Sequence, residues 1–297
     1  MRVGVIGLGN MGMGAALSLR RAGHQVFGCD LNEKARAELV AAGAEAVARP
    51  DLLPADLEAL LLLVVNAAQA DEVLFGKAGV AGRLAKGTVV LSAVTMAPEA
   101  ARALAARLDG AGLLSLDAPV SGGPVRAREG ALSVMASGSA QAFTAAEPVL
   151  SAMAAKVWRL GEEPGLGSTV KMVNQLLAGV HIAAAAEALA LGIRAGADPK
   201  TLFDVISASA GSSWMWQNRV PHILEGDDTP RSAISIFVKD LGIVLDEART
   251  LTFPLPLAAT AHQLFLAAAA SGHGGRDDAF VIRVWQALTG IALPGKG

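Results

Sequence analysis

The opening segment, MRVGVIGLGNMGMGAALSLRRAG, constrains the fold more than any other part of the chain. RVGVIGLG reads as a strand entering a glycine turn, and Met11 to Ala22 reads as a helix. Between them, Gly7-Leu8-Gly9-Asn10-Met11-Gly12 spells GxGxxG, with Gly14 following. Alone this pattern is weak. Placed after a strand and before a helix, it is in the context that gives it meaning. The glycines permit a tight turn and let backbone approach a pyrophosphate, while the helix N-terminus offers N–H groups and partial positive charge. Gly7, Gly9, Asn10, Met11 and Gly12 are therefore candidates for holding a dinucleotide. The segment has the apolar middle of an export signal, but its two arginines follow the apolar run instead of preceding it.

Asp30 ends a second predicted strand, HQVFGCD, about twenty residues beyond the turn. A carboxylate there can accept hydrogen bonds from the adenosine ribose hydroxyls and would repel the 2′-phosphate of NADP, so NAD is the expected cofactor. Asp30 could equally cap the helix predicted over NEKARAEL, and Lys34 and Arg36 lie near enough to weaken the discrimination.

Strand-like runs continue in LEALLLLVV (57–65), GTVVLSA (87–93), GLLSLDAPV (112–120), ALSVMASG (131–138) and KVWRLG (156–161), alternating with helical segments. That alternation implies a largely parallel sheet with helices on both faces. The pattern changes at EEPGLGS (162–168), where a proline and two glycines mark a boundary. Beyond it the sequence predicts helices near 169–195, 199–209, 234–251, 256–271 and 279–288. The expected architecture is an α/β Rossmann domain over 1–163, then an all-α domain over 164–297, joined by a long helix.

The start of that helix, GSTVKMVNQLLAGVHI (167–182), contains one charged residue, Lys171. A surface helix carries a polar face, and this one does not. It reads as buried, and an unpaired buried ammonium is costly. A lysine in that setting has its pKa pushed down from about 10.4, so it could exchange a proton with an alcohol as hydride leaves. Asn174, three residues on, shares its face. The bland alternative is a structural ion pair. Other routes to alcohol oxidation are closed or poorly supported. With no tyrosine, a tyrosine–lysine acid/base pair is impossible. One cysteine and five scattered histidines give no zinc site, and no metal is expected.

The overall balance, 25 Lys and Arg against 27 Asp and Glu, argues against nucleic acid as the main partner. With 53% hydrophobic residues the chain is globular. The lone cysteine, Cys29, allows no internal disulfide, and a cytoplasmic location is expected. Leu176 to Ile193 is apolar, but much of that is alanine, and it includes His181 and Glu187. A buried helix is expected there, not a membrane span.

GLGNMG, DAPVSGGPVRAREGALSVMASG, GSTVKMVNQ and FVKDLG, in this order, resemble the β-hydroxyacid dehydrogenases. That family includes 3-hydroxyisobutyrate dehydrogenase and tartronate semialdehyde reductase and is related to 6-phosphogluconate dehydrogenase. The resemblance implies that Lys171 is the catalytic acid/base and Asn174 a substrate contact, with the substrate carboxylate on Ser121, Gly122 and Gly123. It implies cofactor contacts at Asn66, Thr95 and Lys239, with Asp240 beside the last. It also implies a substrate cleft between the domains and a homo-oligomer, dimer or tetramer. Two positions depart from the family pattern. Gln175 stands where a second asparagine is common, and Ser92-Ala93-Val94 where an acid and a serine are. The C-terminal half, through GSSWMWQNRVPHILEGD and TPRSAISIFVKDLGIVLDEA, is most similar to the branch that oxidises L-threonate with NAD, and implies that Ser212, Ser213, Trp214 and Asn218 face the substrate. Other hydroxyacids, among them 3-hydroxyisobutyrate and tartronate semialdehyde, stay open as substrates. A non-catalytic NAD sensor is the distant alternative.

Overall fold

A computed structural model describes residues 1–295. The chain divides into two compact units, Met1–Lys171 and Met172 onward.

The first unit is built on a parallel sheet of six strands: β1 (Arg2–Ile6), β2 (Gln25–Cys29), β3 (Glu45–Val47), β4 (Ala59–Leu62), β5 (Val89–Ser92) and β6 (Leu114–Asp117). Their order is β3-β2-β1-β4-β5-β6, so the chain reverses direction across the sheet between β1 and β4. Ligands bind parallel sheets of this kind at such a reversal, outside the carboxyl ends of the strands. Helices α1 (Asn10–Arg21), α2 (Glu33–Ala41), α3 (Ala67–Phe75) and α4 (Pro98–Gly110) alternate with the strands. Two apolar clusters, one containing Val3, Val5, Leu61 and Leu91 and the other Ile6, Leu60, Leu62 and Val90, show that neighbouring strand residues feed opposite faces. Burial on both faces is why these strands read as continuous apolar runs.

The remaining strands do not extend this sheet. Strands β7 (Val120–Ser121), β8 (Leu132–Ala136) and β9 (Ala154–Arg159) form a separate three-stranded sheet, antiparallel between β7 and β8 and parallel between β8 and β9. Helix α5 (Gly123–Glu129) links its first two strands and α6 (Ala140–Met153) its last two. The short α5, seven residues long, lies in a connection from Gly122 to Ala131, too short for a parallel crossover. Gly14 fixes how closely α1 meets α5, since a Cβ there would lie 2.7 Å from the Ala127 Cβ.

Helix α7 (Leu166–Arg194) follows, 29 residues long. By length and composition it could cross a membrane. Ala178, Ile182, Ala186, Leu189 and Ala190 are instead buried in the core of the helical unit, which explains half of its apolarity. Helices α8 (Pro199–Ser207), α9 (Trp214–Glu225), α10 (Ile234–Thr250), α11 (Pro256–Ala268) and α12 (Arg283–Thr289) complete that unit. Helix α9 has no counterpart among the helices expected from the sequence. It contains Pro221, normally a breaker, but Ser213 accepts a hydrogen bond from the Trp216 N–H at its start and Gly226 closes it in a left-handed conformation. Trp216 is buried and stacks on Phe203, whereas Trp214 is half-exposed.

Candidate active site

The glycine turn lies at the chain reversal in the sheet. Gly7 has φ +92°, a region open to glycine, and a Cβ there would lie 2.6 Å from the Leu63 carbonyl oxygen beyond β4. Gly12 brings the first turn of α1 onto the same corner, where a side chain would overlap the Gly7 carbonyl. Gly9 caps α1 in an extended conformation, with φ −65° and ψ −173°. No side chain caps this helix and no acid occupies its first turn. A Cβ on Gly9 would meet nothing within 4 Å. These features fit a dinucleotide pyrophosphate: an open approach to backbone and an uncapped, positively polarised helix end.

Asp30 is partly buried at the end of β2. Its carboxylate accepts hydrogen bonds from the Leu8 N–H at 2.6 Å and the Asn32 N–H at 2.7 Å, tying the glycine turn to the β2–α2 loop. It is not the helix cap. Asn32 caps α2, accepting from the Lys34 N–H. The Arg36 guanidinium donates to the carbonyls of Asp30 and Leu31, both at 2.8 Å. Burial, with the Asp30 charge adding to it, pushes the neighbouring Cys29 thiol up to about 12, which keeps it protonated and inert. Asn66 caps α3 by accepting from the Gln69 N–H. Thr95 follows β5 and is partly buried.

Ser121 ends β7 and is followed by two glycines with positive φ, Gly122 at +133° and Gly123 at +77°. A Cβ on Gly123 would meet nothing within 4 Å, whereas one on Gly122 would lie 3.0 Å from the Arg126 side chain, so the turn is open at Gly123.

Lys171 is 8% exposed, near the start of α7. The start of that helix is tied down heavily. Asp117, at the end of β6, is 5% exposed. Its Oδ2 accepts from the N–H groups of Gly165 (3.0 Å) and Ser168 (2.8 Å) and from the Ser137 hydroxyl (3.4 Å). Its Oδ1 accepts from the Ser168 hydroxyl at 2.8 Å. The Gly167 N–H donates to Ser137 Oγ at 3.0 Å. Burial pushes the Asp117 carboxyl above its ordinary pKa, and the Ser168, Gly165 and Ser137 donors oppose that rise.

In the helical unit, Asn174 donates through its side-chain amide to Gln175 Oε1 (3.0 Å), and Gln175 donates to Asp240 Oδ2 (2.5 Å). The other Asp240 oxygen is 2.6 Å from Lys239 Nζ. Gln175, flagged in the sequence as a departure, therefore links Asn174 to the Lys239–Asp240 pair. A second buried cluster joins His222 Nδ1 to Asp277 Oδ1 at 3.0 Å, with the Arg231 N–H donating to Asp277 Oδ2. Arg219 pairs with the fully buried Asp278. Burial acts to raise the Asp277 pKa, but the His222, Arg231 and Ala279 donors outweigh it and hold the carboxyl low. Ser212 accepts from Gln217, Ser213 is spent as the α9 cap, and Asn218 accepts from Arg219. Among the described residues, no three His, Cys, Asp or Glu side chains are grouped to hold a metal ion.

Asp117 is not among the residues singled out by the sequence motifs. Its signal was an acid ending an otherwise apolar strand run, LLSLDAPV, whose partners lie far along the chain.

Residues 2–161 match the model of the NAD binding domain of 6-phosphogluconate dehydrogenase, and 165–285 match that described as NAD-binding of NADP-dependent 3-hydroxyisobutyrate dehydrogenase. The chain is 55% identical to an L-threonate dehydrogenase of Cupriavidus necator over 99% of its own length and 98% of that protein's. It is 54% identical to that of Escherichia coli K12, over 99% and 96%. A crystal structure of a 3-hydroxyisobutyrate dehydrogenase from Salmonella typhimurium superposes with a TM-score of 0.92 at 52% identity, covering 96% of this chain and 99% of that one. The turn, the sheet order and these likenesses together make the protein a dehydrogenase that uses a nicotinamide dinucleotide, and the chain belongs to the β-hydroxyacid dehydrogenase family, alongside 3-hydroxyisobutyrate dehydrogenase.

Proposed function

We propose that the chain oxidises L-threonate to 2-oxo-tetronate with NAD. The observation that carries this reading is the full-length likeness, at 54–55% identity, to proteins named L-threonate dehydrogenase. The residues supply a consistent chemistry. Gly7, Gly9, Asn10, Met11 and Gly12 hold the pyrophosphate, Asp30 takes the ribose hydroxyls, and Asn66, Thr95 and Lys239 complete the cofactor contacts. Ser121, Gly122 and Gly123 hold the substrate carboxylate, a use suited to a glycine-rich turn. Asn174, steadied by Gln175, binds the substrate hydroxyls. The nicotinamide ring, when bound, accepts hydride from the carbon beside the carboxylate. Lys171 Nζ takes the proton of the same hydroxyl, so the alcohol loses a hydride and a proton and becomes a ketone. General-base assistance of this type is worth about 10²–10⁴-fold.

NAD is preferred over NADP because Asp30 would repel a 2′-phosphate and Arg36 is engaged with backbone carbonyls. A homo-oligomer, dimer or tetramer, is supported by an exposed apolar stripe on α7: Leu166, Val170, Val173 and Leu177, spaced four, three and four apart. A cytoplasmic location suits a lone buried cysteine.

The name of the Salmonella structure favours a second reading, 3-hydroxyisobutyrate as substrate. NADH formation measured with L-threonate, D-erythronate, 3-hydroxyisobutyrate and glycerate, with NAD and with NADP, separates the two. Turnover should be highest with L-threonate and NAD, and Lys171→Ala should reduce it by at least about 10²-fold. Full activity in Lys171→Ala would overturn the mechanism. Preference for 3-hydroxyisobutyrate would overturn the substrate and leave the family intact.

A further inference from the structure

We propose that Asp117 is the positioning residue for Lys171. This rests on the reading of Lys171 as the acid/base. The first N–H groups of a helix have no partner within the helix. At the start of α7, two of the four such donors, Gly165 and Ser168, go to the Asp117 carboxylate, and Gly167 goes to Ser137, itself bonded to Asp117. The Ser168 hydroxyl adds a further bond to Asp117. Every contact to the carboxylate comes from a donor, the arrangement that an ionised acceptor satisfies. A negative charge at a helix N-terminus is also favoured by the helix dipole.

The mounting is rigid at its base. Asp117 ends β6, the edge strand of the parallel sheet, and its backbone exchanges both hydrogen bonds with Ser137, at 3.0 and 2.9 Å. The helix backbone sits directly on this corner: a Cβ at Gly167 would lie 2.8 Å from the Asp117 carbonyl oxygen and 3.1 Å from Oδ2. Ser168 and Lys171 are three residues apart on one face, about 4.5 Å along the axis. Whatever fixes Ser168 therefore fixes the root of the lysine. A misplacement of about 1 Å in a reacting group can cost 10²-fold in rate, so the tether sets the rate through Lys171 without touching substrate.

The test is Asp117→Asn, which keeps the shape but leaves one oxygen to serve four donors, alongside Ser168→Ala, which removes a single bond. NADH affinity, steady-state constants on the best hydroxyacid substrate and the solvent deuterium isotope effect on kcat are measured for each. Asp117→Asn should bind NADH as the wild type does and lose roughly ten- to a hundredfold in kcat. KM for NAD should be unchanged and the solvent isotope effect larger, because proton transfer has become limiting. Ser168→Ala should show a smaller loss of the same kind. In a Lys171→Ala background, Asp117→Asn should have no further effect on residual turnover. Wild-type kcat in Asp117→Asn would overturn the inference, as would additive losses in the double variant or a defect confined to NADH binding. If Asp117→Asn does not fold, Ser168→Ala decides alone, and an unchanged kcat there overturns it. An active Lys171→Ala variant would refute the acid/base reading instead, a separate result.

Discussion

Replacing Gly7 and Gly9, one at a time, by alanine separates what the glycine turn does for the fold from what it does for the cofactor. At Gly7, φ is +92° and the new Cβ would lie 2.6 Å from the Leu63 carbonyl oxygen, a backbone atom that cannot swing aside. The left-handed backbone costs about 1–2 kcal/mol and the overpacking about 1–3 kcal/mol. At about 2–4 °C per kcal/mol for a unit of this size, the melting temperature should fall by roughly 4–20 °C. Gly9 is different. Its φ of −65° suits alanine, and its Cβ would meet nothing. The only stability cost is that of a weaker cap, at most about 1 kcal/mol. That Cβ would, however, occupy the space through which a phosphate approaches the helix N-terminus. Loss of one charge-assisted hydrogen bond there, about 1.5–3 kcal/mol, weakens NADH by about 10–100-fold. Differential scanning fluorimetry without cofactor and fluorescence titration with NADH measure the two effects. Equal melting temperatures for Gly7→Ala and wild type would refute the crowding argument. Wild-type NADH affinity in Gly9→Ala would refute the placement of the pyrophosphate.

Asp30→Ala should lower kcat/KM for NAD by about 10–100-fold through loss of its charge-assisted hydrogen bonds, while kcat/KM for NADP rises; initial rates with each cofactor test this, and an unchanged ratio would remove Asp30 from cofactor selection. Asp277 contributes a pH dependence. Its folded pKa is depressed, so its stabilisation is present above the unfolded carboxylate value of about 3.9 and is lost as pH falls through the lower folded value. The stability gap between wild type and Asp277→Asn, from urea melts, should therefore be largest near neutral pH and shrink below about pH 3.9. A gap that widens on acidification would contradict the sign.

Much of the fold was legible because it is written locally. A glycine turn between strand and helix and apolar runs buried on two faces both depend on neighbouring residues and their backbone preferences. Lys171 stood out for the same reason, a single charge within an apolar helix. Helix α9 was hidden because Pro221 reads as a breaker until the Ser213 cap and the packing of Trp216 on Phe203 are in view. The separation of β7, β8 and β9 into their own sheet was hidden because a strand's sequence does not name its neighbour.

The sequence by itself determined the class of the protein: a dinucleotide turn, a parallel sheet, a helical second half and a lone lysine at the start of an apolar helix. Tertiary structure decided how that lysine is mounted. Asp117 and Ser168 are 51 residues apart and Gln175 and Asp240 are 65 apart. No local pattern links such pairs, and a buried polar group becomes affordable only once the fold has brought its partners within hydrogen-bonding distance.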